Sequence, residues 1–279
     1  MKLNYFTMVL LTWSMVLAGV EAKSLQVNSS GFSAPVKVFE ASGTAKKVAV
    51  LVLHAKKGGT SGRIRRLARK LAKAGYTAYV PEMPYAGYRA SLQDSFVYLD
   101  AVVGMMTQRH AKVVIVGHSM GASVGFLYTT AYRPSRAVSA VVMLAPGHLL
   151  HRSHFIQEST ARDVQTARRL VKQGRGRTRQ RFHDVNQGNR FTIQTTAEIY
   201  LSYFDPAVHP NLVRKLDGMK LPVLWLDGKD DMLAARMGYE NLYARLPKHR
   251  FNAYREIDGG HVSMLSSAAE VVISWLRRF

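Results

Sequence analysis

From Lys47 onward, short β-branched apolar runs alternate with segments whose apolar residues recur at helical spacing. That rhythm restricts the chain to βα units stacked around a mostly parallel sheet. Residues 48–53 are apolar without interruption, as in a strand covered on both faces, and the polar loop His54-Ala55-Lys56-Lys57-Gly58-Gly59 follows. Ser61 is placed to cap the next helix, where Ile64, Leu67, Ala68 and Leu71 share one face and Gly75 marks the end. The opposite face carries Arg63, Arg65, Arg66, Arg69, Lys70 and Lys73, so it is solvated and basic. Further strands are expected at 77–80, 112–116, 138–144, 221–226 and 250–257. Helices are expected at about 92–108, from the 117–121 segment to about Tyr132, and at 265–278. Residues 25–27 and 36–40 read as a short antiparallel pair at the sheet edge.

A chain of 279 residues, 47% hydrophobic and 20% charged, supports one substantial core, which points to a single domain over 23–279. The strand–helix rhythm is broken between Pro146 and Pro210 by a long, basic, polar insertion, expected to be a cap or lid over about 147–210. Within it the arginine-rich run 174–181 is expected to be mobile. The first 22 residues read as a signal peptide, with Lys2, an apolar stretch over 5–20 and a cleavage-like Val20-Glu21-Ala22. Export to the periplasm or medium is therefore expected. A retained anchor is the competing reading, although the uncharged run falls short of the roughly 20 residues that span a bilayer.

The sequence has no cysteine, which removes disulfides, thiol nucleophiles and zinc–thiolate sites. A formal charge of +21 draws anionic partners such as a membrane surface or an acidic polymer. No stacking aromatics interleave the basic runs, so no specific nucleic-acid partner is expected.

The segment Gly117-His118-Ser119-Met120-Gly121 directly follows the run Val113-Val114-Ile115-Val116 and precedes a helical pattern. This is the context of a nucleophile elbow, where a sharp turn presents the serine oxygen and the flanking glycines allow strand and helix to approach. Serine needs a base to take its proton and a carboxylate to hold that base in the right tautomer. Two later strands end in Asp227-Gly228-Lys229-Asp230-Asp231 and Asp258-Gly259-Gly260-His261, loops on the same sheet edge as the elbow.

On these residues the chain resembles the α/β-hydrolase superfamily from Lys47 to Phe279. The resemblance implies an α/β-hydrolase fold, a mostly parallel central sheet flanked by helices with a cap insertion. It also implies Ser119 as nucleophile, His261 as base and Asp231 as the acid, with Asp230 the alternative. An oxyanion hole is expected from the backbone N–H groups of Met120 and Lys56, with Ala55 the alternative to Lys56 because alanine stands where the superfamily's His-Gly loop has glycine. His54, His118 and His148 are expected around the substrate. His118 is read as support inside the elbow. His148, His151 and His154 have a spacing that could ligate metal on a helix, but the serine chemistry needs no metal and no cofactor is expected. Hydrolysis of a small-molecule or lipid carboxylic ester is the expected activity. A basic binding module that keeps the hydrolase scaffold is the alternative.

Overall fold

The computed structural model describes residues 22–279 apart from 30, 59–61, 133–134, 148–153, 187, 209–210 and 238. The signal-peptide reading and His148 and His151 thus lie outside the described residues. Among the described residues no helix is long and apolar enough to cross a membrane.

The chain opens with a hairpin of β1 (Ala22–Ser29) and β2 (Phe32–Phe39), paired antiparallel from Ala22↔Phe39 to Ser29↔Phe32. Next come β3 (Val48–Leu53), α1 (Gly62–Lys73), β4 (Ala78–Pro81), α2 (Leu92–Thr107), β5 (Lys112–His118), α3 (Met120–Ala131) and β6 (Val138–Leu144). The insertion holds α4 (His154–Lys172), β7 (Arg179–Asn186), β8 (Asn189–Thr196) and α5 (Ala197–Phe204). The chain then returns to the sheet through α6 (Leu212–Lys215), β9 (Val223–Gly228), α7 (Met232–Met237), α8 (Tyr239–Ala244), β10 (Ala253–Ile257) and α9 (Leu265–Leu276).

The main sheet has eight strands in the order β1-β2-β4-β3-β5-β6-β9-β10, parallel from β4 to β10 and antiparallel at the β1–β2 edge. This is the arrangement the resemblance implies. The apolar strands alternate between two cores, as a period of two requires. Ala49, Leu51 and Leu53 of β3 join α2 and α3 on one face, while Val48, Val50 and Val52 join α1 and α9 on the other. Neighbouring strands also end level: Leu53 pairs with Gly117, His118 with Leu144, Leu144 with Leu226, and Gly228 with Ile257. The loops after β3, β5, β6, β9 and β10 therefore emerge along one edge.

The insertion differs from its expected form. The arginine-rich run expected to be mobile forms a turn closed by Thr178 N–H to Arg175 O (3.1 Å) and then enters β7. β7 pairs with β8 over its whole length. The cause is packing that composition hides: Phe182, Asp184 and Val185 turn inward while Arg179 and Arg181 stay exposed. Phe182, Tyr200 and Phe204 stack in series with centroids 4.4 and 4.3 Å apart, and Tyr203 packs on Tyr88. The described aromatic residues of the insertion thus pack into the core on the α2 and α3 side of the sheet. A two-oxygen ion pair from Arg168 to Asp205, both distances 2.6 Å, ties α4 to the end of α5.

Candidate active site

The elbow follows from its glycines. Ser119 sits at φ 54°, ψ −120°, a left-handed backbone that few non-glycine residues adopt. A Cβ on Gly117 would strike Gly121 O and the Ala122 backbone, and one on Gly121 would lie 2.5 Å from His54 O. Only glycine at both positions lets α3 begin against β5 and the end of β3. Met120 is the first residue of α3, where the helix itself leaves the backbone N–H unpaired. The loop carrying Lys56 runs beside this helix terminus, because His54 O is the atom that Gly121 approaches.

Opposite the elbow, the loops after β9 and β10 are laced together. Lys229 N–H donates to Ile257 O (2.9 Å) and Asp230 N–H to Gly259 O (3.2 Å), with Gly259 at φ 108°. This lacing brings His261 and Asp231 into one line with the serine. His261 Nδ1 is 2.8 Å from Asp231 Oδ2, and His261 Nε2 is 2.9 Å from Ser119 Oγ. A carboxylate only accepts, so Nδ1 carries the proton and Nε2 is free to receive the serine's. The other oxygen, Asp231 Oδ1, accepts from Leu233 N–H (2.9 Å) and fixes the carboxylate at the start of α7. All three residues are less than 10% exposed (Ser119 8%, His261 7%, Asp231 3%), which shields the line from water. Asp230 and Asp258 point to solvent, and Asp258 pairs with Lys229 at 2.7 Å.

The structure gives His54 and His118 backbone partners. His118 Nε2 donates to His261 O (2.7 Å), and burial, reinforced by the neighbouring His261, lowers its pKa to about 4. It stays neutral and holds the backbone of His261 from behind. His54 is fully buried: its Nδ1 donates to Ala55 O (2.8 Å) and its Nε2 accepts from Met83 N–H (3.0 Å). Burial lowers the pKa of this imidazole too, and its neutral tautomer is set by those two partners. The side chain of His154 is not among those described, and the described residues gather no three metal-ligating side chains.

Two further residues adjoin the line. Gly147, just after β6, approaches so closely that a Cβ there would stand 2.9 Å from Ser119 Oγ and 3.6 Å from His261 Cε1. Its carbonyl is anchored by Ser123 Oγ at 2.8 Å. Asp227, four residues before Asp231, is buried under Trp225 Nε1 (3.2 Å) and Tyr254 OH (2.9 Å), and burial raises its pKa to about 7. Gly147 stands at the start of the insertion expected over about 147–210, and what the sequence does not mark is its close approach to Ser119. Asp227 is visible in the sequence only as one aspartate among several.

The sequence model of the family described as serine aminopeptidase, S33, matches residues 44–260. No curated protein matches the sequence. Among solved structures the chain is similar to the α/β hydrolase GrgF from Penicillium sp. sh18 (TM-score 0.72, 12% identity, covering 92% of this chain and 98% of that one). It is also similar to Est1E from Butyrivibrio proteoclasticus (TM-score 0.63, 14% identity, 91% and 98% covered). A third similar structure is the esterase domain of a Rhodothermus marinus protein (TM-score 0.62, 16% identity, 92% and 98% covered). At these identities the structures speak for the fold, whereas the family match spans most of the chain and includes both the elbow and the acid loop. The protein therefore belongs to the serine aminopeptidase S33 family of α/β-hydrolases.

Proposed function

We propose that the protein is a carboxylic-ester hydrolase working by acyl transfer to water, with Ser119 as nucleophile, His261 as general base and Asp231 as the acid that orients it. The observation that carries this reading is the unbroken hydrogen-bond line from Asp231 through His261 to a strained, buried Ser119. In this mechanism His261 takes the Ser119 proton as Oγ attacks the carbonyl, and the backbone N–H groups of Met120 and Lys56 receive the tetrahedral oxygen. His261 then protonates the leaving alcohol, and an activated water releases the acid.

The family description names peptidases, so peptide cleavage is the second reading. Charge favours the ester. An aminopeptidase must accept a substrate ammonium, and a protein of formal charge +21 repels one while attracting carboxylated esters and leaving neutral ones unopposed. A structure of Est1E with ferulic acid bound makes esters of aromatic acids a sensible first series. The exposed basic face of α1, with Arg63, Arg66, Arg69, Lys70 and Lys73, would hold the exported enzyme on anionic envelope surfaces. Export is part of the proposal and rests on the leader-like first 22 residues.

A fluorophosphonate probe together with matched p-nitrophenyl esters and aminoacyl p-nitroanilides tests the reading. Covalent labelling and turnover of esters over anilides are expected. Folded protein that resists the probe would return the chain to the binding-module alternative, and faster anilide turnover would make it a peptidase.

Gly147→Ala is expected to slow both probe labelling and ester hydrolysis by about 100-fold, because the new methyl displaces the Ser119 hydroxyl from His261. Labelling at the wild-type rate would show that Oγ has room to move aside without losing its base.

A further inference from the structure

We propose that the buried Lys56–Asp184 ion pair is a clamp by which the cap hairpin holds the loop after β3 in position to receive the tetrahedral oxygen. Lys56 and Asp184 are then positioning residues. The inference rests on the serine-hydrolase reading above and deepens it.

The loop is fixed from one side through its carbonyls. Tyr85 OH donates to His54 O (2.6 Å), Gly58 N–H to Ala55 O (3.0 Å) and Gly87 N–H to Lys56 O (3.1 Å). These three bonds fix the carbonyls of His54, Ala55 and Lys56 and so the orientation of the peptide groups whose N–H an oxyanion needs. The other side is held by one side chain. Lys56 Nζ donates to Asp184 Oδ1 (3.0 Å) and to Val185 O (2.6 Å) and stands 2.8 Å from Asp184 Oδ2. Asp184 also accepts from Val185 N–H (2.6 Å) and from Tyr88 OH (2.7 Å). Tyr88 in turn is tied to β8, since Thr195 Oγ1 donates to Tyr88 O at 2.8 Å. One buried cluster therefore joins the loop after β3, the 82–88 loop and both strands of the cap hairpin.

Stability alone is a poor reason for such a cluster. Asp184 is fully buried and Lys56 is 7% exposed, and burial lowers the lysine's pKa against the attraction of Asp184. Well-packed apolar residues often stabilise as much as a buried ion pair, whereas a pair of this kind imposes one register on the segments it joins. Here the two residues are 128 positions apart, and the register imposed is that of the cap on the oxyanion side of the site.

The test titrates active sites with the fluorophosphonate and then measures kcat per titrated site and KM on p-nitrophenyl butyrate. Asp184→Asn leaves the ammonium without its counter-charge. The double variant Lys56→Met with Asp184→Leu replaces the pair by apolar side chains and protects the fold if single variants fail to fold. In both, kcat per site is expected to fall roughly 10- to 100-fold with KM nearly unchanged, since a misplaced donor weakens transition-state binding. Lys56→Arg, which keeps the pair, is expected to recover most of the loss. A merely structural pair lowers the number of titratable sites without lowering the rate at each. A folded double variant with wild-type kcat per site would overturn the clamp while leaving the hydrolase reading intact. Wild-type protein that does not label would overturn both.

Discussion

Replacing Ser119 with alanine is expected to abolish fluorophosphonate labelling and to cut kcat on a p-nitrophenyl ester by about 10⁵- to 10⁶-fold, with any residual rate coming from binding and the oxyanion donors. The size follows from the role proposed for Oγ: it would form the covalent bond, and His261 Nε2 faces it at 2.9 Å. Folding should survive. The substitution keeps a Cβ on the same strained backbone and removes a hydroxyl whose hydrogen bond contributes about 1 kcal/mol, while Gly117 and Gly121 still let α3 close against β5. Steady-state kinetics and thermal denaturation on the same preparation check both halves. A folded variant that kept more than about a tenth of the wild-type turnover would place the nucleophile elsewhere.

Asp231→Asn is expected to lower kcat by about 10⁴-fold, while Asp230→Asn leaves it near wild type. The amide introduced at position 231 would offer N–H to His261 Nδ1, move the imidazole proton to Nε2, and turn the base into a donor facing Ser119. Its oxygen still serves Leu233 N–H as Asp231 Oδ1 does, so α7 keeps its start and the loss is chemical rather than structural. Asp230 is exposed, and the bond that secures it here runs from its own backbone N–H to Gly259 O. A pH–rate profile for each variant separates the cases. Equal losses at both positions would mean that the loop is being perturbed as a whole.

Much of the architecture is legible in the sequence because fully covered parallel strands write themselves as continuous apolar runs, as in Val48–Leu53 and the Val113-Val114-Ile115-Val116 stretch of β5. The elbow is legible because a steric demand for glycine leaves a fixed spacing around Ser119. Between the adjacent aspartates, the resemblance leans towards Asp231, and the structure sets that residue against His261. The cap hairpin is not legible. β7 buries one aromatic, one aspartate and one valine among arginines, so its alternation is invisible to a hydrophobic count, although Gly188 at φ 88° marks a hairpin turn. Nor is the partnership of Lys56 with Asp184, since a contact across 128 residues between two charged side chains has no local pattern. The sequence singles out Lys56 for its backbone, and its side chain reads there as one more surface charge.

Gly147 is both the glycine that crowds Ser119 and the last described residue before the insertion departs for α4. The insertion is thus rooted beside Ser119 itself, and its root is pinned by Ser123. For anyone exchanging caps among these hydrolases to change their substrates, the seam belongs after position 147. A chimera cut before it would import a foreign contact with Ser119 along with the new cap, and altered selectivity would then be indistinguishable from a damaged nucleophile.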